Sequence, residues 1–281
     1  GAAERARSAA AGSGADGLVA VGGGSAIGLA KAVALTTGLP ILAVPTTFAG
    51  SEMTPVWGIT SGGVKRTGRD RRVLPRTVVY DPVLARSMPG ATAAVSGINA
   101  MAHAAEALYA PDVTPVGAVL AEEAVRALAA ALPAIAGGDR DAVAEGLYGA
   151  WLAGACLGST TMGLHHKLCH VLGGTFGLPH APTHAVVLPY VLAHNLPAAP
   201  EAARRLARAL DAADPVAGLR ALLDRLGTPR SLAELGLDAA SVGKAAELAG
   251  RDPYANPRPA GPRELRALLE AALTGIPPVS E

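Results

Sequence analysis

The sequence predicts an α/β plus all-α protein, with a parallel-sheet region over residues 1–88 and a helical region over residues 89–281. Short β-branched runs at 18–21, 41–44 and 77–80 alternate with helical ones such as 25–35, the rhythm of parallel strands joined through helices. Two of these runs end in turns of functional character: Val21 leads into Gly22-Gly23-Gly24-Ser25, and Val44 into Pro45-Thr46-Thr47. Ligands of open α/β sheets bind at such strand carboxyl ends. From about Pro89 the texture changes to long Ala/Leu-rich amphipathic stretches, 118–135, 147–157 and 201–226, with Pro and Gly breaks between them.

Taken in order, residues 2–15 read as one short helix before the first strand. That leaves the first strand few partners and an exposed sheet edge, so the chain reads as N-terminally incomplete. Half of the residues are hydrophobic, enough for a sizeable core. The net charge of +1, from 24 basic and 23 acidic side chains spread along the chain, leaves no electrostatic footprint for nucleic acid or an anionic membrane. A small-molecule partner is the expectation. Cys156 and Cys169 sit in apolar helical patterns and read as small buried hydrophobes, which points to the reducing cytoplasm. No apolar run reaches the roughly 18–20 residues of a membrane span, and the Ala/Arg-rich start has no signal-peptide core.

The Gly22-Gly23-Gly24-Ser25 turn stands between a strand and the helix carrying Lys31, where Gly23, Gly24 and Ser25 let a pyrophosphate approach the backbone and the helix N-terminus. It is a partial Rossmann-like signal. Its spacing departs from GxGxxG, and a plain tight turn is the competing reading. Thr46, Thr47 and Ser51 offer hydroxyls to phosphate, ribose or nicotinamide, although each alone is more often a cap or turn former. Lys65 and Arg66, in the polar turn 61–66, are candidates to neutralise a phosphate or substrate carboxylate; an exposed basic hairpin explains them equally well.

The second constellation is histidine-rich. Asn99 and His103 are four residues apart, as are His166 and His170, so on helices each pair shares a face. His180 follows at Pro179-His180. The pattern resembles a metal site with one ligand altered, because a divalent metal among imidazoles normally has a carboxylate and Asn99 offers only a neutral amide oxygen. Hydrogen-bonded core histidines are the plainer alternative. Residual Zn²⁺ binding by three imidazoles stays open.

The segments GGGSAIGLAKA (22–32), PTTFAGSEMTP (45–55), VVYDP (78–82), SGINAMAHAAEALYA (96–110) and HHKLCHVLGGTFGLPHAPTHAVVLP (165–189) together resemble the iron-containing alcohol dehydrogenase family, and within it the maleylacetate reductase branch. The resemblance runs in order from about residue 17 to the NPRP at 256–259. It implies the dehydroquinate synthase-like fold, a cytoplasmic homodimer, and NADH or NADPH as cofactor. The resemblance also places Asn99, His103, His166 and His180 where metal-dependent members hold iron or zinc with an aspartate and three histidines. Branch members carry Asn at the first position and are thought to work without a metal, so none is expected here.

The implied reaction is reduction of the conjugated C=C of maleylacetate to 3-oxoadipate in aromatic or chloroaromatic catabolism. Hydride addition there produces an enolate that hydrogen-bond donors can stabilise. With an ordinary pKa near 6.5, imidazoles beside substrate carboxylates can hold a proton, orient the dianion and protonate carbon. His166 and His170 are assigned to polarisation and proton supply, and His103 and His180 to orienting or binding carboxylate. His184 is a guessed nicotinamide or substrate contact. The rival expectations are a metal-dependent alcohol or glycerol-type dehydrogenase that tolerates Asn99, and a non-catalytic truncated paralogue.

Overall fold

The structure is a computed structural model that describes residues 1–61, 64–251 and 254–278. Helix α1 (Ala2–Ser13) precedes strand β1 (Leu18–Gly22), which turns at once into α2 (Gly24–Thr37). Strand β2 (Ile41–Pro45) follows, then β3 (Val56–Ser61), β4 (Val64–Arg69), β5 (Thr77–Val78) and the one-turn helix α3 (Pro82–Ala85). β1 lies parallel to β2, with Leu18 opposite Ile41 and Gly22 opposite Pro45, and β2 lies parallel to β5. The resulting order is β1-β2-β5, while β3 and β4 form a separate antiparallel pair. Ala20, Ile41 and Ala43 pack on Ile27, Ala30 and Ala34 of α2 beneath this sheet. β1 is an end strand in that order, and its Val19 and Val21 are exposed.

The remaining chain is helical: α4 (Gly90–Ala107), α5 (Pro115–Ala136), α6 (Val143–Ser159), α7 (Leu164–Phe176), α8 (His180–Asn195), α9 (Pro200–Ala209), α10 (Pro215–Leu226), α11 (Val242–Arg251) and α12 (Pro262–Thr274). α4 is the centre of this region, since every residue from Ser96 to Ala107 is buried. Small side chains make that possible. A Cβ on Gly97 would stand 2.3 Å from Leu132 Cδ2 on α5, so the two helices approach closer than any other residue there allows. Four polar residues on this buried helix, Ser96, Asn99, His103 and Glu106, are therefore conspicuous.

Residues 201–226, expected as one amphipathic stretch, form two helices. α9 stops before Asp211, which takes a left-handed φ of 49°, and α10 restarts where the Asp214 side chain accepts from Ala217 N and Pro215 follows. The Asp-Pro start signal outweighs the continuity of the apolar period, because Pro supplies no N–H to a preceding turn. Among the described residues no helix is long and apolar enough to cross a membrane.

The loop after β2 joins the two regions. Phe48 inserts fully buried into the helical core, and its N–H donates to Ser96 Oγ of α4 at 3.0 Å. Gly50 has φ 73°, and a Cβ there would lie 3.3 Å from both Gly154 Cα on α6 and His103 Nδ1 on α4. The glycine lets the sheet's loop touch the histidine helix directly.

Candidate active site

At the sheet end, Gly23 is the N-cap of α2 and no side chain caps that helix. A Cβ on Gly23 would meet Thr47 Cγ2 at 3.0 Å and Oγ1 at 3.1 Å, and Thr46 N donates to Gly22 O at 3.0 Å. The structure thus brings Gly23, Gly24, Thr46 and Thr47 together at the carboxyl ends of β1 and β2, with Ser25 exposed on the first turn of α2. The helix dipole and first-turn N–H groups there suit a phosphate. Ser51 lies on the next turn, Ser51–Met53, where its carbonyl accepts from Lys31 Nζ at 2.6 Å. The same ammonium donates to Thr54 O at 2.7 Å, Thr54 Oγ1 at 3.0 Å and Val56 O at 2.8 Å. Burial lowers the Lys31 ammonium to about 8, against the opposing pull of Glu52. Lys31 therefore moulds the loop from inside. The Lys65 side chain lies outside the described part of the protein.

The histidine end is built on α4, α7 and α8. α7 begins at Gly163, which has no side chain to cap its own helix. Glu106, reaching from α4, supplies the cap: its oxygens accept from Gly163 N at 3.2 Å, His165 N at 2.8 Å and His166 N at 3.3 Å. Glu106 Oε2 also lies 2.5 Å from His166 Nδ1. Burial by itself pushes the Glu106 carboxyl up. The His166 hydrogen bond, the nearby His166 and His165 rings and the His165 backbone N–H overcome that and hold it below the usual carboxylate value. A buried carboxylate satisfied this fully is anionic, and it holds His166 in one orientation.

His103 and His166 face one another with ring centroids 5.1 Å apart, so one member of each expected face-sharing pair converges on the other. His170 is exposed, 6.0 Å from His166, and His180 is exposed, 4.4 Å from His184. Among the described residues, His166 Nε2, His103 Nδ1, Asn99 Oδ1 and His184 Nε2 are buried without a hydrogen-bond partner. Burial, reinforced by the neighbouring His166 and His180 rings, drives the His103 pKa well down; burial and the His165 and His166 rings do the same for His184. The centre thus has a polar interior that waits for partners, bordered by exposed imidazoles.

The ligand positions of the metal-dependent pattern do not gather into a chelate. Among the described residues, the group of His, Cys, Asp or Glu with ligand atoms within 4.8 Å of one another is instead His165, Cys169 and His184, all buried. Within that group His165 Nε2 and His184 Nδ1 are 2.9 Å apart. Two nitrogens on a tetrahedral zinc, each at about 2.0–2.1 Å, would stand roughly 3.3 Å apart, so this contact has hydrogen-bond rather than chelate geometry. Asn99 also leaves the first set without the anionic ligand. Neither set fits a resident iron.

Glu106 escaped the sequence reading. The signal was present, because Glu106 follows His103 by three residues and Asn99 by seven, on the same helical face. His165 was likewise passed over beside His166.

A phosphate-ready turn on a parallel sheet, coupled by one loop to a buried histidine centre in an all-helical region, defines a dinucleotide-dependent oxidoreductase. The iron-containing alcohol dehydrogenase profile matches residues 2–82, and the C-terminal profile of the same family matches residues 93–273. The chain belongs to the iron-containing alcohol dehydrogenase family, and use of a nicotinamide dinucleotide comes with that membership. Within the family it is similar to the maleylacetate reductase of Burkholderia cepacia, 54% identical over 267 residues, which are 94% of this chain and 76% of that protein. Maleylacetate reductase 2 of Cupriavidus pinatubonensis is 56% identical over 98% of this chain and 78% of its own length. The crystal structure of maleylacetate reductase from Agrobacterium tumefaciens superposes with a TM-score of 0.94 at 47% identity, covering 98% of this chain and 79% of that one.

Proposed function

We propose that this chain is an NADH- or NADPH-dependent reductase of maleylacetate that yields 3-oxoadipate without a metal, in the cytoplasmic breakdown of aromatic or chloroaromatic compounds. The relatives that share more than half of its residues carry that activity in their names. The observation that carries the metal-free part is the buried Glu106–His166 pair. The nicotinamide, when bound, would supply a hydride to the alkene carbon β to the ketone, leaving the electron pair on the ketone oxygen as an enolate. A proton then goes to the α carbon. Glu106 accepts from His166 Nδ1–H and so orients the ring, and a proton delivered to its Nε2, which has no hydrogen-bond partner among the described residues, is passed to the enolate. His170, exposed beside it, supplies the proton from solvent, and His103 and His180 orient the substrate carboxylates. Gly23, Gly24, Ser25, Thr46, Thr47, Ser51 and Lys65 bind the dinucleotide. A homodimer is the assembly proposed.

The experiment is oxidation of NADH and of NADPH with freshly prepared maleylacetate, with and without EDTA. Turnover that survives chelation supports the reading. Turnover abolished by EDTA and restored by Zn²⁺ or Fe²⁺ replaces it with the metal-dependent dehydrogenase reading, and failure to bind either dinucleotide replaces it with the non-catalytic one.

A further inference from the structure

Behind the Glu106–His166 pair lies a second pair that the mechanism above leaves without a role. His165 Nε2 is 2.9 Å from His184 Nδ1, and Cys169 Sγ is 3.6 Å from the same His165 nitrogen. Both imidazoles have no exposed surface. Each also has its other nitrogen buried with no partner: Nδ1 on His165 and Nε2 on His184. Since His184 turns Nδ1 to His165, its Nε2 points to the other side of the ring. The rings of His180, His166 and His103 stand around His184 with centroids 4.4, 5.0 and 6.4 Å away.

A 2.9 Å contact between two imidazole nitrogens holds one proton, and only two neutral arrangements satisfy it. If His165 Nε2–H donates, its Nδ1 is a buried lone pair, and His184 must carry its own proton on Nε2. If His184 Nδ1–H donates instead, the remaining proton of His165 sits on Nδ1, an N–H with no acceptor. An orphaned buried donor is rarer and costlier than an under-satisfied acceptor. In the first arrangement the orphaned donor is on the His184 side, among the active-site rings, where a ligand can accept from it. In the second it is on His165 Nδ1, for which the described residues supply no acceptor.

We propose that His165 is a positioning residue that fixes His184 as its Nε2–H tautomer, and that His184 is thereby a catalytic hydrogen-bond donor to the substrate's ketone oxygen as it becomes an enolate. The inference rests on the reductase reading above. It gives the metal-free centre a second donor beside His166, from a residue outside the Asn99, His103, His166 and His180 set. The Cys169 thiol, pushed well up by burial, remains protonated and makes only a weak sulfur contact with His165.

Imidazole ¹⁵N NMR of histidine-labelled protein tests the tautomer whatever the substrate proves to be, with His184→Gln assigning the signal. The result expected is a protonated Nε2 and a bare Nδ1 on His184; the reverse overturns the proposal. The kinetic arm uses His165→Leu and His165→Gln with NADH and maleylacetate. The Leu variant is expected to lose roughly 10–100-fold in kcat with the dissociation constant for NADH unchanged, and Gln, whose amide N–H reaches about where Nε2–H stood, to recover most of it. Wild-type kcat in the Leu variant, or equal losses in two variants that melt like the wild type, overturns the positioning role. Should the Leu variant not fold, the NMR assignment and the Gln variant still decide. A wild-type protein that turns over no maleylacetate refutes the function reading, and the NMR arm then stands by itself.

Discussion

His165 and His166 are consecutive on α7 and both buried, yet they meet opposite kinds of partner. About 100° of helical rotation separates them. His166 turns to α4 and meets a carboxylate, whereas His165 turns to α8 and meets another imidazole. The partners differ: Glu106 fixes the orientation of His166, whereas burial takes His165 down to about 3 against the opposing pull of Glu106. One helix therefore presents a carboxylate-bound ring on one side and a neutral ring on the other.

The largest expected effect comes from removing the charge that distinguishes the two. Glu106→Ala strips the cap from α7 and leaves His166 and three backbone N–H groups without their acceptor, and a loss of about 3–5 kcal/mol is expected in denaturant unfolding. Glu106→Gln keeps an acceptor there and is expected to retain most of the fold while kcat falls. Wild-type unfolding in the alanine variant would show that the cap is not structural. Next is His166→Ala, expected to lower kcat by roughly 10²–10⁴-fold with the folded state intact by circular dichroism. Unchanged turnover would remove His166 from the mechanism.

Stability against pH sharpens the contrast from the other side. Between its ordinary value of 6.5 and about 3, His165 binds a proton in the unfolded chain but not in the folded one. Its contribution is thus complete above pH 6.5 and falls as pH drops through that window. The depressed Glu106 carboxyl acts in the same direction lower down, with stability present above its ordinary 4.5 and lost as pH falls through its folded value. His165→Gln should make the slope shallower from pH 6.5 down to about 3, leaving the parts carried by the depressed His103 and His184 and, below 4.5, by Glu106; an unaltered slope would show that other groups govern it.

The smallest effect is expected outside the pair. Lys31→Met releases the carbonyls of Ser51, Thr54 and Val56 while touching no histidine, so it should raise the KM for the dinucleotide by about fivefold, near 1 kcal/mol, and leave kcat close to wild type. A larger fall in kcat than rise in KM would mean that the loop reaches the chemistry through Gly50 and His103.

Much of the framework was legible because it is local. Strand, glycine turn and helix at 18–37 are written in consecutive residues, and the four-residue spacings of Asn99/His103 and His166/His170 announced shared faces that the helices confirm. Residues 201–226 misled because an apolar period carries no information on where a helix restarts; Asp214-Pro215 did. The exposure of His170 and His180 beside the burial of His165 and His184 was not legible either, since all four sit in the same apolar-rich segment.

By itself, then, the sequence determined the parallel strands, most of the helices, the phosphate-ready turn and the neutral Asn99 among histidines, all of which depend on backbone sterics and short-range periodicity. Only the tertiary structure decided which histidine meets a carboxylate and which meets another imidazole. Those properties belong to contacts such as Glu106 with His166, across 60 residues of chain, and His165 with His184, across 19. A side chain's protonation follows the field and the desolvation it meets, and both exist only once the helices have packed.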